Sequence, residues 1–271
     1  MFDSHIHTIH SPDGGQTLDE ICLRAINIGM SGVTITDHAH LTHMEEYDIP
    51  ERIRASIADV RRAQEVYAGK LQVFCGVELG EQHHAPENAA QILALTDFDA
   101  VLGSIHWVDG CPWDKAYSKI VFDQTVSDGQ IHDFLALYYA DLAKLAAVGE
   151  MDILAHLTCP LRYMNERYRR GIDPMNHRDA IAGILETIIR REIALEVNTP
   201  VTDVYAPIPE ATVLALYRDL GGKLLTLGSD AHRGQAKNVG IFFPEVKDIL
   251  RSLGFTHYHY YRNHIPQSVM L

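Results

Sequence analysis

The sequence predicts an α/β protein whose parallel strands close into a barrel. Short apolar runs alternate with helical patterns along the chain, which is typical of βα units and a parallel sheet. The runs are almost continuously hydrophobic, as expected for strands that are covered on both faces. No GxGxxG or GxxxxGK motif follows any of them. The nucleotide-binding forms of an open sheet therefore lack their fingerprint, and the barrel is favoured.

Seven apolar runs are predicted as strands, and most of them precede a stretch with helical periodicity. In chain order the runs are Phe2–His7, Val33–Thr36, Leu71–Val77, Ala100–Ile105, Ile153–His156, Ile193–Val197 and Leu224–Leu227. The mixed, glycine-punctuated segment from Asp109 to Gln130 is predicted as a long loop, and long loops of compact domains are often functional.

The intervening helices carry their own start signals. Thr17 and Glu20 are spaced as a capping box, which predicts a helix that begins after Thr17. Asp173 followed by Pro174 combines an N-cap residue with a proline at the first helical position. A third helix is predicted from about Glu210 to Leu220, where two glycines follow.

Composition excludes several classes of protein. The 271 residues are 46% hydrophobic and 22% charged, so the chain can bury a full core, and residues 1–271 are predicted to form one domain. A formal net charge of −13 repels phosphate backbones, so no nucleic acid is expected as a partner. The four cysteines form no CxxC pair, and the chain has no signal-like start and no apolar stretch of membrane-spanning length. These features predict a cytoplasmic protein without membrane association, and they leave the oligomeric state open.

The 16 histidines are the unusual feature of the composition, because they outnumber the 12 tyrosines and the 8 phenylalanines. Histidines and acids recur at the end of each predicted strand, and the carboxyl ends of barrel strands meet on the face that carries the active site. These strand-end residues are His5, His7, Asp37, His38, Glu78, His106, His156, Glu196, Asn198, Asp230 and His232.

The spacing of these residues indicates a metal site. His5 and His7 are two residues apart on a strand, so their side chains point to the same side, and Asp230 and His232 have the same spacing. Imidazole and carboxylate ligands without thiolates suit Zn, Fe, Mn or similar divalent ions. Isolated histidines such as His40 are interpreted as structural. His83 and His84 are interpreted in the same way, although they follow the third strand closely enough to line the site.

The ordered set of these residues resembles that of the PHP (polymerase and histidinol phosphatase) superfamily, in particular its histidinol-phosphatase branch, over nearly the whole chain. The resemblance rests on His5-x-His7, Asp13, Asp37-His38, Glu78, and on the framing of His106, His156 and Asp230-x-His232. It implies a distorted seven-stranded, TIM-like (β/α) barrel with two or three divalent metal ions. It implies three ligand sets: His5, His7, Glu78 and Asp230; then Glu78, His106 and His156; and then Asp13, His38 and His232. Many relatives have histidine where this chain has Asp13.

The resemblance also implies the chemistry, a phosphomonoester hydrolysis that releases L-histidinol and phosphate from L-histidinol phosphate in histidine biosynthesis. Divalent ions neutralise the phosphate, and a hydroxide that bridges two of them is the expected nucleophile. We expect Asp230 and His232 to be catalytic, with His232 or a metal-bound water as the candidate proton donor to the leaving group.

Four residues are expected to contact the substrate. Arg162 is the first candidate to bind the phosphate bidentately, and Arg233 is the second. Asn198 ends the sixth strand at the same face. Trp107 begins the segment that could wall off the substrate and stack on an imidazole ring.

Three alternatives remain open at this stage. Related PHP modules act on nucleotides or DNA ends, although the acidic charge of this chain weighs against long polyanions. Metal-dependent amidohydrolases share the first HxH pattern, but many of them use a lysine on the fourth strand, where this chain has His106. A metal-binding module without turnover would retain the ligands and release no phosphate, which substitution of His5 or Glu78 by alanine would decide.

Overall fold

The computed structural model describes residues 1–199, 207–232, 234 and 236–271. Strands and helices alternate along these residues as the sequence predicts. The strands are β1 (Phe2–Ile6), β2 (Gly32–Ile35), β3 (His38–His40), β4 (Gln72–Gly80), β5 (Ala100–Ser104), β6 (Ile153–Leu154), β7 (Ala194–Asn198), β8 (Leu225–Gly228), β9 (His257–Arg262) and β10 (Ile265–Met270). The α-helices are α1 (Leu18–Asn27), α2 (Ile49–Val66), α3 (Pro86–Leu93), α4 (Asp128–Val148), α5 (Cys159–Arg162), α6 (Arg178–Arg190), α7 (Ala211–Asp219) and α8 (Phe243–Ser252).

The sheet has the order β1-β2-β4-β5-β6-β7-β8-β9-β10, with β3 paired to β4 outside this path. The strands from β1 to β8 on the path pair in parallel, and each of these seven overlaps one predicted run. The Asp230 N–H, just after β8, donates to the His5 carbonyl at 2.8 Å, and the His7 N–H donates to the Ala231 carbonyl at 3.1 Å. These bonds bring the ends of β1 and β8 together, and the fold is an α/β fold of the TIM-like barrel type.

Helix starts follow the local signals. Thr17 caps α1 with a complete capping box. Asp173 caps a 3-10 turn (Pro174–His177) that leads into α6, so the predicted helix begins one turn later than its cap. The predicted loop after Asp109 ends at Ser127, because Ser127 and Gln130 form a second capping box that starts α4.

The C-terminal stretch, which is rich in Tyr and His, forms the antiparallel hairpin β9–β10. Tyr258 and Tyr261 are buried, and the Tyr258 hydroxyl accepts from the Phe2 N–H at 3.1 Å. Phe2 also stacks on Tyr260 with ring centroids 3.8 Å apart. The hairpin therefore packs at the start of β1, away from the carboxyl ends of the strands.

Packing between the helices and the outer side of the strands forms the main core. Leu135, Leu142 and Leu145 of α4 and Ile184 and Ile188 of α6 are fully buried in it. Each such side chain contributes about 1.5–3 kcal/mol by leaving water. The barrel interior, by contrast, is polar at its carboxyl end, where His5, His7 and Glu78 have no exposed surface. This core supports the strands whose carboxyl ends form the polar basin, the buried region around His5, His7 and Glu78.

Candidate metal centre

The HxH pair of β1 lies at the centre of the basin. His5 Nε2 and His7 Nε2 are 2.9 Å apart, which confirms that the two side chains share one side of the strand. Asp230, which follows β8, places Oδ1 3.2 Å from His7 Nε2 and 3.5 Å from His5 Nε2. These three residues offer ligand atoms that converge on one point, as a metal site requires.

Glu78 on β4 joins this group to the neighbouring histidines. Its Oε1 lies 2.9 Å from His156 Nε2 and 3.5 Å from His106 Nε2. Its Oε2 lies 3.3 Å from His5 Nε2 and 2.6 Å from His38 Nδ1. One carboxylate therefore contacts imidazoles from four strand ends, which is the geometry of a ligand shared by two metals.

His38, His232 and Asp13 form the outer rim of the basin. His38 Nε2 and His232 Nε2 are 3.2 Å apart, and Asp13 Oδ1 lies 3.6 Å from each of them. The Asp13 side chain is 62% exposed, whereas that of His38 is 5% exposed. The structure thus brings all nine predicted metal ligands into one basin, with Asp13 on its solvent side.

Two of these residues have strained backbone. His156 and Asp230 adopt left-handed conformations with φ of 54° and 50°. Such conformations are uncommon for residues other than glycine and cluster at functional sites, where the surrounding structure imposes them. Each residue lies two positions after the end of a barrel strand, so the sharp turn there directs its side chain into the basin.

His5 is oriented by a carboxylate behind it. Its Nδ1 lies 2.6 Å from Glu196 Oε1, so Nδ1–H donates and Nε2 is free for a metal. Gly228 permits this contact, because a Cβ at that position would lie 2.2 Å from Glu196 Oε1 and 2.6 Å from the His5 Cβ. The sequence placed Glu196 at this face, but its role behind His5 was not predicted.

His7 is oriented through a hydroxyl. Its Nδ1 donates to Ser11 Oγ at 3.0 Å, and the Ser11 hydroxyl donates to Asp37 Oδ1 at 2.8 Å. The same Ser11 Oγ accepts from the His38 N–H at 3.0 Å. Asp37 therefore fixes two of the basin histidines without contacting the point on which the ligands converge.

The charges of the basin are mutually dependent. Burial acts to raise the pKa of Glu78, but the surrounding imidazoles, first of all His38, hold it well below its usual range. Burial lowers the pKa of His106 to about 3. Burial also acts to lower the pKa of His38, but Glu78 and Asp13 raise it to about 9. Without metal, the carboxylates of Glu78 and Asp13 are therefore ionised and keep a proton on His38. Bound cations would displace this proton.

The donor set fits divalent metal ions better than it fits hydrogen bonding alone. His38 Nδ1 and Glu78 Oε2 approach each other closely, yet neither forms a hydrogen bond of acceptable geometry, although both atoms are buried. So poorly directed a contact compensates only part of the free-energy cost of burying the two groups. Their lone pairs converge on shared space, as those of metal ligands do.

Arg162 lies beside the basin at the end of α5, where the chain continues into a π-helical turn (Tyr163–Arg167). Its Nη2 donates to Asn198 Oδ1 at 2.5 Å, and its Nη1 lies 3.7 Å from Asp230 Oδ2. Among the described residues, its buried Nε has no hydrogen-bond partner. A cleft of about 340 Å³ opens here, lined by Asp13, His38, His106, Tyr117, Ser118, His156, Cys159, Arg162, Tyr163, Asp230 and His232.

The other residues expected to contact substrate lie differently. Asn198 is fully buried behind Arg162 and orients it, and neither Asn198 nor Trp107 is among the described residues that line the cleft. Trp107 packs its ring against His43, with centroids 4.4 Å apart, on the β3 side of the basin. Arg233 lies outside the described residues.

His40, Tyr117 and Tyr163 are among the residues at the site that sequence reasoning missed. His40 is buried, its ring lies 4.7 Å from that of His38, and it offers a ligand atom near those of His38 and His106. The available signal was the spacing of His38 and His40, which repeats the HxH pattern of β1. Tyr117 and Tyr163 lie in a loop and a helical turn, where no periodicity marks them.

Comparison with known proteins agrees with this geometry. Residues 3–200 match the model of the PHP domain. The chain is 28% identical over 266 residues to a probable histidinol-phosphatase of Deinococcus radiodurans, with 94% of each chain covered. It is 30% identical over 242 residues to a probable histidinol-phosphatase of Clostridium acetobutylicum, with 86% of each chain covered.

A solved structure shows the same fold. It is the histidinol phosphate phosphatase of Lactococcus lactis subsp. lactis, crystallised with zinc, L-histidinol and phosphate. Its TM-score to this structure is 0.79, with 20% sequence identity and 98% of each chain covered. The family match ends before Asp230 and His232. Both residues nevertheless lie in the basin, beside His5 and His7. On these grounds the chain belongs to the PHP domain family.

Proposed function

We propose that the protein is a metal-dependent phosphatase that hydrolyses L-histidinol phosphate to L-histidinol and phosphate. The observation that carries this proposal is the convergence of imidazole and carboxylate ligands around Glu78, beside the guanidinium of Arg162. Membership of the PHP domain family and the relatives named as histidinol-phosphatases support the choice of substrate.

Two or three divalent ions, Zn, Fe or Mn, would be held by His5, His7, Glu78 and Asp230, by Glu78, His106 and His156, and by Asp13, His38 and His232. When bound, such ions supply charge neutralisation of the phosphate and a water activated at neutral pH. The protein's part is to hold the ligands in place. Glu196 and Ser11 support this by directing Nε2 of His5 and of His7 into the basin.

Arg162 would bind the phosphate. Its Nη2 is held by Asn198, and its partnerless Nε leaves a donor for a phosphate oxygen. A guanidinium suits this task because it can form two parallel, charge-assisted hydrogen bonds. In a chain of net charge −13, this cation beside the basin makes an anion site at the cleft.

His232 would serve either as a metal ligand or as the proton donor to the leaving alkoxide. Its Nδ1–H donates to the Asp230 carbonyl at 2.8 Å, and its Nε2 lies 3.2 Å from His38 Nε2 at the rim of the basin. A single nitrogen cannot hold a metal and deliver a proton at once, so the two roles exclude each other. Trp107 packs against His40 and His43 on the side of β3, so it would support the basin from behind and would not stack on the substrate.

The wider setting follows from this reaction. A phosphatase for L-histidinol phosphate would act in histidine biosynthesis, in the cytoplasm, on a small substrate and without nucleic acid. Among the described residues, the structure contains no helix with the length and hydrophobicity needed to cross a bilayer.

A substrate panel with metal reconstitution tests the proposal. The protein is stripped with a chelator, reloaded separately with Mn, Zn or Fe, and assayed for phosphate release from L-histidinol phosphate, a nucleoside monophosphate and a sugar phosphate. We expect L-histidinol phosphate to have the highest kcat/KM and the stripped protein to be inactive. The His5→Ala variant, checked for folding by circular dichroism, is the control for the site. A clear preference for nucleotides or sugar phosphates would refute the substrate, and full activity of His5→Ala would refute the site.

A further inference from the structure

A second group of metal-binding side chains lies outside the basin. His83 and His84 belong to the 3-10 turn (Gln82–His84) just after β4, and Asp141 lies in the middle of α4. His83 Nε2 is 2.8 Å from Asp141 Oδ1, and His84 Nε2 is 3.0 Å from the same oxygen. Both imidazoles therefore point their outer nitrogen at one carboxylate.

This group repeats the donor set of the main centre. His5, His7 and Asp230 also present two imidazole nitrogens and one carboxylate, and in each group the ligand atoms lie within 4.8 Å of one another. Among the described residues, His83, His84 and Asp141 are the candidate metal group that shares no member with the basin. Two histidines and a carboxylate leave one position of a tetrahedral zinc site for water.

Burial and charge favour a cation at this point. The Asp141 side chain is 2% exposed, and that of His83 is 4% exposed. Burial acts to raise the pKa of Asp141, but hydrogen bonds from His83 and His84 lower it to about 2, so the carboxylate is ionised. Lys144 Nζ lies 3.6 Å away, but its side chain is 60% exposed, and such an exposed pair contributes little.

The group is also accessible and requires little rearrangement. The His84 side chain is 28% exposed, which gives an ion and its water a route from solvent. Ligands about 2.0–2.2 Å from a tetrahedral zinc are roughly 3.4 Å apart. The two nitrogens would therefore move away from Asp141 by about half an ångström, within the reach of small side-chain rotations.

We propose that His83, His84 and Asp141 form a separate binding site for a zinc-type divalent cation that ties the end of β4 to α4. A cation bound there would hold in place the segment around Glu81, which supports the basin. Glu81, immediately before the turn, accepts from the backbone N–H groups of His106 and Trp107. The inference rests on these residues alone and not on the phosphatase activity.

Zinc stoichiometry tests the site. The full chain is stripped, dialysed against one buffered free zinc concentration, and analysed for zinc per chain by elemental analysis. The variants are His84→Gln and Asp141→Asn, and the control is His132→Gln, a histidine of the same helix α4 that pairs with His177 at 3.0 Å. We expect wild type and the control to hold one more zinc ion per chain than either variant.

Thermal unfolding gives a second measurement. Because a ligand that binds only the folded state raises its stability, zinc should raise the Tm of wild type more than that of His84→Gln. His84 is partly exposed, so this variant is expected to fold even if Asp141→Asn does not. Equal zinc content in wild type and His84→Gln would overturn the proposal. An equal loss in His132→Gln would overturn it as well, because the loss would then not be specific to the three residues.

Discussion

The Nδ1 atom of His5 lies 2.6 Å from Oε1 of Glu196, and both side chains are completely buried. The pair joins β1, the first barrel strand, to β7, the sixth of the seven predicted strands. The negative charge of Glu196 raises the pKa of His5 well above its usual range, against the lowering effect of burial. The carboxylate thus fixes the ring orientation of His5 and increases its basicity as a ligand.

Replacing Glu196 by glutamine tests this arrangement. Gln retains the size and one oxygen, but it removes the negative charge and can turn its amide toward His5. We expect metal affinity and phosphate release to fall about 10- to 100-fold, as is usual for loss of an outer-shell partner of a ligand. Competitive metal titration measures the affinity, and Glu192→Gln, four residues earlier and exposed on the protein surface, is the control. Unchanged affinity in Glu196→Gln would contradict the role.

Replacing Glu78 by glutamine should have a larger effect. Its two oxygens face His156 at 2.9 Å and His5 at 3.3 Å, so one substitution weakens two predicted metal positions at once. We expect phosphate release to fall by more than about 100-fold, the upper end of the outer-shell effect, together with a lower metal content. Elemental analysis and near-UV circular dichroism separate lost metal from lost folding. Glu45→Gln on the surface should behave as wild type, and a Glu78→Gln protein with full metal content would refute the shared ligand.

The barrel and most of the ligands could be predicted because they depend on local rules. Alternation along a strand placed His5 and His7 on one side, and the parallel arrangement brought strand ends such as those at Glu78 and His156 to one face. The role of Glu196 depended instead on the missing side chain of Gly228 on the neighbouring strand. No pattern within one segment reports such a contact.

The missed elements have a similar cause. β3 has three residues, and it exists because His38 pairs with Glu78 and His40 with Gly80 on the longer β4. So short a strand has no apolar run to mark it, and His40 was interpreted as structural although its spacing from His38 repeats that of His5 and His7. The hairpin β9–β10 is half-exposed and rich in His and Tyr, so it lacks the continuous apolar run that marked the barrel strands.

Substitution of Arg162 separates phosphate binding from metal binding. Arg162→Lys retains a positive charge but loses the planar fork, whereas Arg162→Ala loses both. Loss of a charge-assisted hydrogen bond costs about 1.5–3 kcal/mol. We therefore expect KM for the phosphate ester to rise about 10- to 100-fold in Arg162→Ala and less in Arg162→Lys. Metal content should stay at the wild-type value in Arg162→Lys. An unchanged KM in Arg162→Ala would remove Arg162 from the phosphate site.

The buried carboxyl of Glu210, which lies outside the metal centre, should make the stability of the fold depend on pH. This carboxyl is largely buried at the start of α7 and accepts from the Thr158 hydroxyl at 2.7 Å, and burial raises its pKa above the usual 4.5. The folded state therefore holds this proton to higher pH than the unfolded state does. The resulting stabilisation is complete below pH 4.5 and is lost as the pH rises through the raised native pKa. Urea unfolding across this range should show wild type losing stability relative to Glu210→Gln, and parallel pH profiles would contradict the assignment.

Asp13 gives a test of the outer rim of the basin. Asp13 Oδ1 lies 3.6 Å from both His38 Nε2 and His232 Nε2, but the side chain is 62% exposed, so water screens its charge. Asp13→Asn keeps the size and removes the charge, and it should lower metal affinity at the rim by less than about tenfold. Asp13→His replaces the carboxylate by an imidazole, which is also a common ligand of divalent metals, and it should bind the rim metal at least as tightly as wild type. Zinc titration of the three proteins measures the weakest-bound ion. If Asp13→Asn instead loses as much metal as Glu78→Gln, then Asp13 supports the whole basin and not its rim alone.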